Sequence, residues 1–320
     1  MTQTVLILGA TGRFGRAATK AFLRAGWHVT AASRKGAGTA RSGLRHIACD
    51  PMDRDAVIRA AQGVDVIVHA VNMLYRDWAS MMPDMTANVI AGGLASGATV
   101  IIPGNVYVFD KDGPAVWHEN ARGGVHTRKG MLRVEMEVAF ERAAEQGLRT
   151  IVLRGGDFIE SGPSGNWFDK YIAHNAYKGG FTYPGRMDAV HAWAYLPDMA
   201  RAAEMLAAKR ETLPPYASFG FEGYSLSGAE LRAAVSLAVG RPLKLGKIPW
   251  FAIRMMGVFS KELRELMEMR YLWDTPHRLD PAPLRAVLPD FTPTRLEVAM
   301  REVVAQSAPS ADWPQPLRTT

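Results

Sequence analysis

Gly9, Gly12 and Gly15 stand three residues apart where the apolar run Thr4-Val5-Leu6-Ile7-Leu8 breaks, a spacing suited to holding the phosphates of a dinucleotide. Glycines let the backbone approach a pyrophosphate, and the helix that follows presents unpaired N–H groups to it. The contacts fall to Gly9, Thr11, Gly12, Arg13, Phe14 and Gly15. This loop supplies binding, and the chemistry must come from elsewhere. Glycines also serve ordinary tight turns, so the weight of the triplet lies in its setting between a buried strand and a helix over Arg16 to Leu23 that Gly26 ends.

A second strand, His28 to Arg34, ends about 20 residues after the middle glycine, where an NAD-selective fold carries an acidic residue for the ribose hydroxyls. Ser33, Arg34 and Lys35 stand there instead. An acidic side chain would repel a 2′-phosphate, whereas a guanidinium accepts it bidentately, so the expected cofactor is NADP(H) rather than NAD(H). The alternative is a solvated basic turn.

Composition narrows the function classes. At 320 residues, the chain has room for a doubly wound domain and a smaller lobe. A hydrophobic share of 48% and a charged share of 22% are those of a soluble globular protein, and no apolar stretch is long enough to span a bilayer. The start runs straight into a strand with no basic leader, which gives the expectation of a cytoplasmic protein without a secretory signal. The single cysteine, Cys49, can form neither an intrachain disulfide nor a cysteine metal cluster and reads as a small buried hydrophobe. The eight histidines are dispersed, without zinc-type spacing, and no GxSxG nucleophile elbow occurs. No metal is expected. The net charge of +7 is scattered singly along the chain, which argues against nucleic acid and for anionic small molecules.

The elements that must position these residues alternate as strand and helix, the pattern of an α/β chain with crossover helices over a parallel sheet. Strands are expected at Leu44 to Ala48, Val64 to Val71, Thr99 to Pro103 and Thr150 to Leu153. Helices are expected at Asp53 to Ala61, at Met85 to Ala95, and from Arg128 to a stop at Gly147. The fold class is therefore a Rossmann-type doubly wound parallel sheet with a smaller C-terminal substrate lobe. Residues 1–160 form the nucleotide-binding domain, 161–306 complete the sheet and build the lobe, and 307–320 read as a flexible tail. The apolar segment Trp250 to Phe259 is open to four readings: pocket lining, dimer contact, core helix of the lobe, or membrane-surface helix.

With these motifs in place, the chain resembles the extended and atypical short-chain dehydrogenase/reductases, including the NAD(P)-dependent epimerase/dehydratase-like group. Gly9 to Gly15 looks like that family's glycine loop, Cys49-Asp50-Pro51-Met52-Asp53 like its adenine-contacting turn, and His69-Ala70-Val71-Asn72 like the segment passing the nicotinamide ribose. The resemblance implies cofactor contacts from Ser33, Arg34, Asp50, Ala70, Val71, Asn72, Asn105, Lys129 and Arg154. Read without it, Asp50 and Asp53 are turn and N-cap residues. Pro103 to Tyr107 stands where the family has a Ser- or Thr-bearing strand end, and Lys129 where it has a catalytic lysine. Leu153 to Phe158, followed by Gly162-Pro163, resembles the stretch that leads towards the substrate, which implies substrate contacts from Asp157, Phe158 and Trp167. Trp193 to Asp198 resembles the strand-to-helix junction beyond it, with Asp198 placed to complement a helix dipole.

One departure limits the analogy. The family's tyrosine four residues before the lysine is here Val125, and no tyrosine lies between Tyr107 and Tyr171. The acid/base must then come from Tyr107, His126 or Asp157, with Lys129, Tyr107 and His126 the catalytic candidates. Three functions follow from these residues. They are an NADP(H)-dependent oxidoreductase acting on a small carbonyl, alcohol or sugar-like substrate, a non-catalytic NADP(H) sensor or scaffold, and an epimerase or dehydratase with a tightly bound nicotinamide cofactor. A homodimer through the long helices beside the fifth and sixth strands is a further expectation.

Overall fold

The computed structural model describes residues 2–119, 121, 123–161, 164–258 and 260–305. Gly162, Pro163, Phe259 and the expected tail at 307–320 lie outside the described residues. The expected doubly wound sheet is present. Its centre is β1 (Thr4–Leu8), whose Val5, Leu6, Ile7 and Leu8 are at most 1% exposed because helices cover both faces. β1 leads through the glycine loop into α1 (Arg13–Arg24), then β2 (His28–Ser33), β3 (Leu44–Ala48), α2 (Arg54–Ala61) and β4 (Val66–His69). α3 (Trp78–Ser96) and β5 (Thr99–Gly104) follow, then the short β6 (Val116–Trp117), α4 (Arg128–Ala143) and β7 (Thr150–Arg154).

β8 (Asp157–Ile159), β9 (Gly180–Tyr183) and β10 (Val190–Tyr195) begin a second region, but the chain returns through α5 (Leu196–Ala208) to β11 (Tyr216–Gly220). β11 closes the main sheet, whose strand order is β3-β2-β1-β4-β5-β7-β11, all parallel. The order reverses between β1 and β4, where open parallel sheets leave a crevice at their carboxyl ends. One face packs under α1 and α5, with Phe22, Leu196 and Leu206 in its core. The other packs under α2, α3 and α4, with Val57, Val89 and Phe140.

The rest of the chain comprises β12 (Tyr224–Ser227), α6 (Gly228–Val239), β13 (Lys244–Lys247), α7 (Trp250–Met256), α8 (Lys261–Glu268), β14 (Arg278–Leu279), α9 (Ala282–Val287) and α10 (Leu296–Ala305). β12-β10-β8 form a small sheet, and β13 pairs with β9. The core of this region is aromatic, gathering Phe168, Phe181, Tyr183, Trp193 and Trp273 under α6 and α10. The pairing of β14 with β6 stitches it back to the first half.

Three expectations are corrected here. The helix expected from Met85 begins at Trp78 and runs through Pro83, its first turn steadied by the edge-on contact of Trp78 with Tyr75 at 5.1 Å. The core-helix reading of Trp250 to Phe259 fails: none of α7 is buried, and Phe251, Met255 and Met256 are 79%, 57% and 52% exposed. Arg154, expected at the cofactor, points into the interior. It is 1% exposed, donates twice to the buried Glu137 carboxylate at 2.8 Å, and donates once to the carbonyl of Asn105. A guanidinium this far from water needs a counter-ion, and Glu137 provides a two-pronged one. Cys49 is 4% exposed, and burial raises its thiol pKa. Among the described residues, no helix is long and apolar enough to cross a membrane.

Removing Glu137 strands the Arg154 charge in the core. Glu137→Ala is expected to cost about 3–5 kcal/mol, measured by urea unfolding, while replacing both residues by apolar ones of similar volume costs much less. Equal losses for the single and double changes would contradict this account of the pair.

Candidate active site

All strands of the main sheet are parallel, so the loops after β1, β2, β4, β5 and β7 meet at one edge. The glycine loop is pressed onto the exit of β4. Gly9 adopts φ 78°, and a Cβ on it would lie 2.8 Å from Val71 Cα. A Cβ on Gly15 would lie 2.2 Å from the Gly9 carbonyl oxygen. Only hydrogen fits at either place. The Gly9 and Ala10 amides donate to the Ala32 carbonyl at the end of β2, fixing the loop across two strands. Gly12 caps α1 without a side-chain hydrogen bond, and the first turn holds no acidic residue. The opening N–H groups are thus left for an outside anion, as a pyrophosphate requires.

At the exit of β2, Ser33 Oγ accepts from the Gly36 amide at 3.1 Å, which shapes the turn. Arg34 and Lys35 are exposed and form no hydrogen bond or ion pair with any described residue, so both are free to meet a phosphate. Asp50, exposed after β3, accepts from the Met52 amide at 3.0 Å, and Asp53 caps α2 through the Ala56 amide at 3.0 Å. These are the turn and cap roles that aspartates take before helices.

Two of the candidate residues, Tyr107 and Lys129, gather around a tyrosine that sequence reasoning missed. Tyr75, after β4, places its hydroxyl 2.9 Å from that of Tyr107, which follows β5. Tyr75 is 36% exposed, and the protein around its phenol raises its pKa through desolvation. Burial also holds the Tyr107 pKa well above the ordinary phenol value, with Tyr75 and the charge of Asp157 adding to the rise. Both phenols therefore keep their protons at neutral pH and can donate hydrogen bonds to an oxygen.

Lys129, on the first turn of α4, lies 5.0 Å from the centre of the Tyr75 ring. Its ammonium is 2% exposed and ion-paired with Glu265 and Glu268 of α8. Its own amide donates to Glu268 at 3.1 Å. It thus fastens α8 beside the tyrosine pair. His126 does not join the group: its Nε2 lies 3.0 Å from Asp110 Oδ1 and 3.8 Å from Asp112 in a half-exposed cluster. Asn105 shapes the turn before Tyr107, accepting from that residue's amide at 3.1 Å.

Asp157 and Trp167 are linked through residues that the sequence did not single out. Asp157 Oδ2 lies 2.7 Å from His191 Nε2, the His191 ring stacks on Trp273 at 4.4 Å, and Trp273 meets Trp167 edge-on at 5.1 Å. Phe158 lies under the Arg13 guanidinium, 5.4 Å from ring centre to Cζ. Beyond Trp167, a cavity of about 270 Å³ opens among Tyr183, Arg186, Lys247, Trp250, Arg270 and Asp274. A larger cavity of about 350 Å³, lined by Thr4, His28 and Gln62, lies at the amino ends of the strands, away from this chemistry.

The NAD dependent epimerase/dehydratase family model matches residues 5–94, the stretch from β1 through most of α3. No curated protein matches the chain. Among solved structures, a putative epimerase from Burkholderia cenocepacia superposes with a TM-score of 0.76 at 17% identity, covering 95% of this chain and 98% of its own. UDP-N-acetylglucosamine 4-epimerase from Bacillus cereus gives 0.75 at 13% identity, covering 96% of this chain and 100% of its own. The human epimerase family protein SDR39U1, solved with NADPH, gives 0.69 at 17% identity, covering 95% and 99%. At these identities the likeness shows the fold.

His69, at the end of β4 beneath the glycine loop, is 7% exposed. Burial lowers its pKa to about 4, with Arg133 adding to the effect. An unfolded histidine titrates near 6.5, so between these values the unfolded chain binds the additional proton. Stability is expected to fall as the pH drops from about 6.5 to about 4, and replacing His69 by leucine should flatten part of that slope. Thermal melting across this range checks both.

Proposed function

From a chain whose residues 5–94 match the epimerase/dehydratase family, we propose an NADP(H)-dependent oxidoreductase of the atypical short-chain type. Its substrate is a small carbonyl, alcohol or sugar-like compound. The observation that carries this reading is the Tyr75–Tyr107 hydroxyl pair, 2.9 Å apart at the same sheet edge as the glycine loop. The loop holds the pyrophosphate, Arg34 takes the 2′-phosphate, and Ala70, Val71 and Asn72 pass beneath the nicotinamide ribose. When bound, the cofactor supplies or accepts hydride.

The protein's own residues do the remainder. In the reductive direction a carbonyl oxygen receives hydrogen bonds from the tyrosine hydroxyls and a proton from Tyr107, in place of the tyrosine missing at Val125. Lys129 works through the Tyr75 ring and holds α8 over the pair. Asp157, steadied by His191, orients the substrate on the lobe side, with Phe158 and Trp167 forming apolar walls. The paired, protonated phenols favour turnover over the sensor reading, because a protein that only senses the nucleotide has no use for a positioned proton donor. A homodimer through α3 and α4 belongs to the same proposal.

Titration with NADPH, NADP, NADH and NAD, followed by nicotinamide fluorescence or heat, tests the cofactor. Arg34→Ala is expected to weaken NADPH binding roughly 10–100-fold, the worth of a charge-assisted contact, and to leave NADH nearly unchanged. Equal loss for both nucleotides would remove the selectivity argument. Against a panel of aldehydes, ketones and quinones with NADPH, Tyr107→Phe should lower turnover by about 10²-fold or more while NADPH binding persists.

A further inference from the structure

Arg13 belongs to the glycine loop and opens α1, yet its side chain is already engaged. Its Nε lies 2.9 Å from Glu160 Oε1, and Glu160 follows β8, on the far side of the crevice. Glu160 is 9% exposed. Arg16, three residues further along the first turn of α1, donates through Nη1 to the Thr11 carbonyl at 2.6 Å and places Nη2 4.0 Å from Glu160 Oε2. One carboxylate thus gathers both arginines of the first turn, and the phosphate loop is tied to it through Thr11.

A pyrophosphate on this loop would come to the same two guanidiniums. Since this inference rests on the cofactor reading above, the pyrophosphate is taken to be the incoming anion. We propose that Glu160 is the resident counter-ion of Arg13 and sets cofactor affinity by competing with the pyrophosphate for it. Binding moves Arg13 from Glu160 to a phosphate oxygen. Glu160 is then left nearly buried, with less compensation and with phosphate charge nearby. An unpaired buried carboxylate is costly, so the exchange opposes binding.

The surroundings of Glu160 agree. Burial raises its pKa, Asp169 on the facing turn adds to the rise, and Arg13, Ser164 and Arg16 only partly offset it. Asp169 Oδ2 accepts from the Ser164 and Gly165 amides, and no ion pair joins Asp169 to Arg13.

The test is NADPH affinity by fluorescence titration on the full chain for the parent, Glu160→Gln, Arg13→Met and the double variant, with circular dichroism to confirm folding. Glutamine keeps the size and hydrogen bonding of the glutamate and removes its charge. Glu160→Gln is expected to tighten NADPH about tenfold in the parent and to have no effect in the Arg13→Met background. Unchanged or weaker binding in Glu160→Gln overturns the proposal, as does tightening that survives without Arg13, which would mean general charge removal. If the parent binds none of the four nucleotides, the cofactor reading itself fails, an outcome distinct from binding that Glu160→Gln leaves unaltered.

Discussion

The approach of the Gly15 backbone to the Gly9 carbonyl is the constraint on which the site depends. With only a hydrogen at position 15, α1 can start against the loop, and with only a hydrogen at position 9 the loop can lie on the exit of β4. Any larger group there pushes the helix away from the sheet. From this contact follow the direction of the first N–H groups of α1, the emergence of Arg13 and Arg16 towards the crevice, and the packing of Phe14 and Ala18 over the sheet. The resulting surface at the strand-order reversal attracts anions before any side chain is considered.

Around that surface stand the candidate residues of the site. Val125 stands where the family that the sequence resembles carries a tyrosine, and the β4 and β5 loops bring Tyr75 and Tyr107 within hydrogen-bonding distance of each other. Lys129, on the first turn of α4, turns to α8, where Glu265 and Glu268 neutralise it next to the Tyr75 ring. The lysine links the second region to the tyrosine pair, so the two are joined. The Asp157–His191–Trp273 chain provides a second tie from the opposite side.

Buried charge is handled in two ways. Arg154 and Glu137 are sealed in the core with matched geometry and serve the fold. Arg13 and Glu160 sit at the crevice, where Arg13 is 27% exposed and open to an incoming anion. The difference lies in access. A pair closed on every side holds elements together, whereas a pair with one open side can exchange partners.

The sequence by itself determined the parallel sheet, the glycine loop and the basic turn at Arg34, because each is written in local order: apolar runs, glycines at fixed spacing, and a charge at a strand exit. The strand from Leu44 to Ala48 and the start of α4 at Arg128 fall where periodicity puts them. Only the tertiary structure decided which side chains meet. Tyr75 lies 32 residues from Tyr107, His191 is 34 from Asp157, and Glu268 is 139 from Lys129, separations that carry no local signal. Arg154 illustrates the same limit: its place at the end of a strand was legible, but the direction of its side chain depended on Glu137, 17 residues away on another element. Local order fixes the backbone's hydrogen bonding and periodicity, whereas side-chain partners are settled when distant elements pack and buried polar groups must find one another.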